Sequence, residues 1–140
     1  MVILDTDHIS ILERRGPNAS SLIDRLSELP VADVCVTVIS YEEQIRGWMA
    51  AISRSKSSSA HVSQYARLQA QLENYCNLVV LPYSPEAAQQ FDLLRGRHRR
   101  LSSSDLKIAA IALVNDALLL SRNERDFGSI ADLKMADWTE

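Results

Sequence analysis

At 140 residues, 46% hydrophobic and 24% charged, the chain has the size of one compact domain and can bury roughly two-thirds of its unfolded surface. Only four glycines and four prolines and no polar tract argue against disorder, and no apolar run approaches the ~20 residues that cross a bilayer. A net charge of −3 excludes holding duplex nucleic acid by bulk electrostatics, so any such contact must be local.

Residues 1–140 are therefore expected to form a single domain, and Val2-Ile3-Leu4 opens it as a short strand that stops at Asp5. Ser10 to Arg15 reads as a short helix closed by Gly16-Pro17, and Ser20 to Leu29 as a second one ended by Pro30. The β-branched run Val34 to Ile39 predicts the second strand, with Ser40 capping a helix through Glu43, Trp48 and Ile52. The serine-rich stretch Ser53 to Ser59 forms a polar tip before a long helix from Ala60 to Tyr75. Cys35 and Cys76 lack zinc-ligand spacing and read as small buried hydrophobes.

Leu78 to Leu81 is a third strand, and Ser84-Pro85 starts the next helix as cap and first-turn proline. Leu106 to Val114 is apolar almost all round and belongs at the centre of the molecule. Ala117 to Leu120 is a fourth strand, Asn123 to Phe127 a short helical turn, and Leu133 to Met135 an edge strand. This alternation predicts an α/β fold of three layers, with a mostly parallel sheet of four to five strands between helices. In such sheets function gathers at the carboxyl ends of the strands.

The acids fall at those ends. Asp5 closes strand one, Glu43 lies one turn into the helix after strand two, Asp105 opens the buried helix, and Asn123 and Asp126 follow strand four. Carboxylates gathered on one rim repel and take up protons unless a cation neutralises them. An oxygen donor set without Cys or His favours magnesium, with manganese as a substitute. Such an ion polarises a phosphoryl oxygen and lowers the pKa of a bound water, which points to phosphodiester hydrolysis. Each acid has a plainer reading beside this one. Ser40-x-x-Glu43 and Ser102-x-x-Asp105 fit capping boxes, and Asp7 fits a turn or helix cap.

Arg95, Arg97, Arg99 and Arg100, with His98 and the following Lys107, form a basic run beside Asp105 that is either a solvated helix end or a local RNA contact. His8, His61 and His98 have no partner in the sequence pattern and read as surface or partly packed groups. Trp138 reads as a packing anchor. No GxGxxG, Walker loop or GxSxG is present.

Four segments in order resemble the PIN-domain ribonucleases, and among them the VapC-type toxins of type II toxin-antitoxin (VapBC) systems. VILDTDHIS looks like their opening strand and acidic motif, and TVISYEEQIRG like their hydroxyl-and-glutamate segment. SSSDLKIAAIAL is similar to their D-x-x-I-A-A helix, and LLLSRNERDFGSIADLKMADW to their closing block. The resemblance implies a magnesium-dependent endoribonuclease of the cytoplasm, inhibited by a VapB-type antitoxin that reaches toward the carboxylates. It also implies an RNA substrate, a homodimer, DNA contact only through the antitoxin, and no membrane.

Carried over by residue, it implies metal-binding or catalytic roles for Asp5, Glu43 and Asp105, with Asn123 at the fourth, variable position. Thr6 and Ser121 fit hydroxyl positions lining the pocket, and Asp126 an accessory or structural acid. Asparagine at 123 lowers the local charge and favours one firmly held magnesium over two. Asp7 stands where asparagine is common in relatives, and three serines precede Asp105 where Gly, Pro or Asn often occur.

Two other readings stay open at the level of sequence. One is a PIN-like module that binds RNA or protein without cutting. The other is a receiver-like phosphoacceptor, which needs a central strand-end aspartate and a late lysine, where this chain offers Thr37, Ser40 and Lys134.

Overall fold

A computed structural model describes residues 1–140. The apolar runs build a five-stranded, wholly parallel sheet in the order β3-β2-β1-β4-β5. The strands are β1 (Val2–Leu4), β2 (Val34–Thr37), β3 (Val79–Leu81), β4 (Leu118–Leu120) and β5 (Met135–Ala136). Period-two alternation sends Ile3, Cys35 and Leu119 to one face and Val2, Leu4, Val36 and Leu120 to the other, and each face carries its own core.

On the first face α5 (Pro85–Arg97) and α6 (Ser103–Val114) bury Leu94, Leu106, Ile108 and Ile111. On the second, α1 (Thr6–Arg14), α2 (Ala19–Ser27) and α4 (Ser58–Cys76) contribute Ile9, Ile11, Leu22 and Tyr75. α3 (Val38–Arg54) places Ile39 with the first cluster and packs Tyr41 against the second, and α7 (Glu124–Phe127) buries Phe127. The three-layer α/β architecture expected from the alternation is thus the one observed. No helix is long and apolar enough to cross a membrane.

Two boundaries differ from the sequence reading, each because of a cap. α1 begins at Thr6 and not Ser10, since the Asp5 side chain accepts from the His8 backbone N–H at 2.8 Å and starts the helix directly after β1. The same helix ends on Arg15 in the left-handed region at φ 51°, ahead of Gly16. α3 is capped by Thr37, which accepts from the Ser40 N–H at 3.2 Å, so Val38 and Ile39 are helical despite their β-branched side chains. Cys76 is exposed at the end of α4, while Cys35 is buried as expected.

The sheet order sets the site. The chain leaves β1 toward β2 and β3 on one side and returns to β4 on the other, so the connections diverge between β1 and β4. A crevice opens at the carboxyl ends of strands at such a switch point.

Candidate active site

A cleft of about 600 Å³ occupies that crevice. Asp5 enters it from the end of β1, Glu43 from α3, Asp105 from the first turn of α6, and Asn123 from the turn after β4. All four main candidates from the sequence thus line one space, together with Thr6. Asp7, Asp137 and Glu140 add further acids, and Arg122 supplies the cleft's one cation.

Glu43 is not a helix cap, because Thr37 takes that role. Its carboxylate instead accepts from the Thr6 hydroxyl at 2.7 Å, and the same hydroxyl lies 3.0 Å from Oγ of fully buried Ser40. A carboxylate only accepts, so Thr6 donates its one hydroxyl proton to Glu43 at the shorter distance, with Ser40 Oγ a second acceptor within its reach. This hydroxyl cluster fixes the glutamate across 37 positions of sequence. Ser40, read from sequence as the cap, is part of it.

Asp105 forms half of its expected capping box. Its N–H donates to the Ser102 hydroxyl at 3.1 Å, while its carboxylate reaches into the cleft. Burial holds the Asp105 carboxyl above the usual carboxylate range; the Ser102 hydrogen bond opposes this, and the charges of Glu43, Asp126 and Asp5 reinforce it.

Asp5, 7% exposed, lies against His8, which is fully buried. Nδ1 of His8 is 3.3 Å from Oδ1 of Asp5, and Nε2 is 3.6 Å from Oδ1 of Asp137. The expectation of a surface or partly packed histidine fails here: α1 turns position 8 inward under the cleft, and neither ring nitrogen makes a well-formed hydrogen bond. Asp137 lies below the usual carboxylate range: burial works against this, but two Thr139 hydrogen bonds, His8 and Arg122 outweigh it. Asp7, expected as a cap, instead accepts two hydrogen bonds from Arg122, from Nε at 2.7 Å and Nη2 at 3.0 Å. Sequence offered no signal for this pair, whose members are 115 positions apart.

The remaining candidates separate. Ser121 does not line the cleft; it is fully buried and accepts from the Asn123 N–H at 3.0 Å, which shapes the turn behind it. Asn123 accepts from the Asp126 N–H at 3.3 Å and donates from Nδ2 to the Asp126 carboxylate at 3.0 Å. Asp126 stands behind Asn123, outside the lining.

Arg95 is committed to the loop between α5 and α6, donating to the Leu101 carbonyl at 3.0 Å and to Ser103 at 2.9 Å. Arg97 at the end of α5 and Arg99 and Arg100 on that loop are exposed. The Lys107 ammonium lies 5.6 Å over both Tyr83 and Phe91. Lys134 pairs with exposed Asp116 at 2.8 Å and does not reach the cleft, which removes the lysine a phosphoacceptor would need.

A divalent cation fits this cleft by the chemistry of its donors, which are carboxylate oxygens under mutual repulsion. The tightest group of potential ligand atoms is that of Asp5, Asp7 and His8, within 4.8 Å of one another. Asp7 is taken by Arg122 and His8 lies beneath the floor, so the open side of the site is the one bounded by Asp5, Glu43 and Asp105.

Comparison with known proteins agrees with this geometry. The family model described as "PIN domain" matches residues 2–133. Ribonuclease VapC1 of Haemophilus influenzae strain R2866 is 29% identical over 139 residues, covering 99% of this chain and 98% of the relative. The structure of VapBC-1 from nontypeable Haemophilus influenzae superposes with a TM-score of 0.73 at 25% identity, with each chain fully covered. DNA-bound VapBC from Salmonella typhimurium shares the fold, with a TM-score of 0.75, 24% identity and coverage of 98% and 97%. With the family model spanning nearly its whole length, the chain belongs to the PIN-domain family.

Proposed function

We propose that the chain is the toxin of a type II toxin-antitoxin pair, a magnesium-dependent endoribonuclease that hydrolyses RNA phosphodiester bonds. The observation that carries this reading is the convergence of Asp5, Glu43 and Asp105 on one cleft, with Asp105 raised in proton affinity by its acidic neighbours as well as by burial. A magnesium ion held by Asp5, Asp105 and Glu43 would supply Lewis-acid polarisation of the phosphate and a water with a pKa lowered toward neutrality.

The chain's own groups do the rest. Asp5 and Asp105 face each other from β1 and α6 as ion ligands, and Glu43 is held ready by Thr6. Asn123 completes the rim without adding charge, which suits one firmly held ion over two. Exposed Arg97, Arg99 and Arg100 border the Asp105 side and meet the phosphates of flanking nucleotides. Arg95 supports that loop from within.

A VapB-type antitoxin inhibits the enzyme and mediates its contact with DNA. The toxin itself forms a homodimer in the cytoplasm. The groove between α1, α3 and α4, about 700 Å³ and lined by Arg14, Trp48 and Arg67, suits the antitoxin chain.

Cleavage of total RNA in magnesium, comparing wild type with Asp5→Ala and Asp105→Ala, tests the reading. Wild type is expected to cut and both variants to lose cutting. Inert wild type in magnesium and manganese, or variants that cut as well as wild type, would sink the proposal.

A further inference from the structure

Six carboxylates line the cleft, those of Asp5, Asp7, Glu43, Asp105, Asp137 and Glu140, and only one cationic side chain faces them. A phosphodiester carries its own negative charge, so an approaching RNA meets repulsion from every wall but one. Arg122 stands on that wall, in the turn between β4 and α7, beside the switch point of the sheet.

Its guanidinium is fixed from one side. Nε and Nη2 donate to the two oxygens of Asp7, while Nη1 has no partner. Asp5 and Asp137 line the same cleft, so their carboxylates also attract it. A guanidinium has five N–H donors, and a side-on clasp through Nε and Nη2 leaves three on the outer edge, spaced for two phosphate oxygens. The side chain is 43% exposed, so this edge is open to a ligand.

Simple neutralisation of Asp7 explains the ion pair but not its place. Exposed pairs contribute little to stability, and Asp7, itself 41% exposed, would be solvated without one. Charge placed beforehand where negative charge develops is what accelerates phosphoryl transfer.

We propose that Arg122 is a catalytic residue of this site, donating from its Nη1 edge to a non-bridging oxygen of the scissile phosphate while Asp7 fixes its orientation. This rests on the ribonuclease reading above and adds to it a cation supplied by the chain itself.

The test uses the full chain and the variants Arg122→Ala and Arg122→Lys. Affinity for a fluorescent RNA is measured in calcium, single-turnover cleavage in magnesium at saturating RNA, and magnesium binding by calorimetry. Arg122→Ala is expected to weaken RNA binding about 10-fold and to slow saturated cleavage about 10- to 100-fold. Magnesium should bind as tightly as before or tighter, because a positive charge has left the cleft. Arg122→Lys, which keeps the charge but not the fork, should recover part of the rate.

A variant that binds and cuts like wild type overturns the proposal, as does one whose losses merely follow lost magnesium binding or lost folded protein. An active wild type with an equally active Arg122→Ala defeats the role of Arg122 alone. A wild type that cuts no RNA defeats the ribonuclease reading and this inference with it.

Discussion

The two walls of the cleft solve the same electrostatic problem differently. On one wall each acid has a partner within the chain: Asp7 has Arg122, Asp137 has Thr139, and both Asp5 and Asp137 border the His8 ring. On the other wall Glu43 accepts only from the Thr6 hydroxyl, and the Asp105 carboxyl, with no cationic partner, is raised in proton affinity by burial and its acidic neighbours. A carboxylate satisfied by an internal cation has little to gain from an external one, while repelling carboxylates gain a great deal. On the function proposed above, the divalent ion belongs on the uncompensated wall, with Asp5 shared between the two.

Breaking the uncompensated wall should have the largest effect. Asp105→Asn or Glu43→Gln is expected to lower kcat/KM at least ~100-fold, equivalent to about 2.7 kcal/mol at the transition state. The same variants should lose the stabilisation that magnesium gives, about 2.7 kcal/mol for wild type at 100 times its Kd. Thermal melts with and without the ion check this, and an undiminished rise in Tm for Asp105→Asn would refute the assignment.

On the paired wall the effect should fall on folding as well. His8→Ala removes a fully buried ring and leaves two carboxylates facing a void, at an expected loss of roughly 2–4 kcal/mol in urea unfolding. Magnesium affinity should weaken by about 10- to 100-fold, as for other groups that orient a ligand. Unchanged unfolding and unchanged affinity would make His8 a bystander.

How much of this was legible in the sequence follows from the range of the forces involved. That Asp5, Glu43 and Asp105 share one cleft was legible because strand ends and helix starts are locally coded, and a parallel sheet brings those positions to one rim. The apolar run from Leu106 placed α6 correctly because a helix without a polar face has nowhere but the interior. The start of α3 was misplaced since Val38 and Ile39 carry strand propensity, and only the Thr37 hydroxyl decides the boundary. The burial of His8 and the clasp of Asp7 by Arg122 depend on tertiary contacts, across 115 positions in the latter case, with no periodicity to reveal them.

The Thr6 hydroxyl tests the uncompensated wall more gently. Thr6→Val keeps the shape of the side chain but removes the proton donated to Glu43, while Thr6→Ser retains it. Hydrogen bonds to charged groups are worth about 1.5–3 kcal/mol, so cleavage by Thr6→Val should fall roughly 10- to 100-fold, with Thr6→Ser near wild type. Equal activity of the two would show that Glu43 needs no positioning.

The smallest expected effect is one of pH, and its sign separates the walls. The Asp105 carboxyl is raised from 3.8 by burial and then by Glu43, Asp126 and Asp5. A carboxyl raised on folding contributes stability that is full below its unfolded pKa and is lost as pH rises through the folded value. The metal-free protein should therefore lose part of its stability over that interval, while magnesium affinity rises across it because the proton no longer competes. Asp137 is lowered from 3.8, so its contribution has the opposite sign: present above the unfolded pKa and lost as pH falls through the folded one. Calorimetric titrations with magnesium from neutral pH down toward pH 4 should thus show weakening affinity before any loss from the Asp137 side. If affinity stays flat until the protein unfolds, Asp105 does not belong to the ion site and the difference between the two walls is not electrostatic.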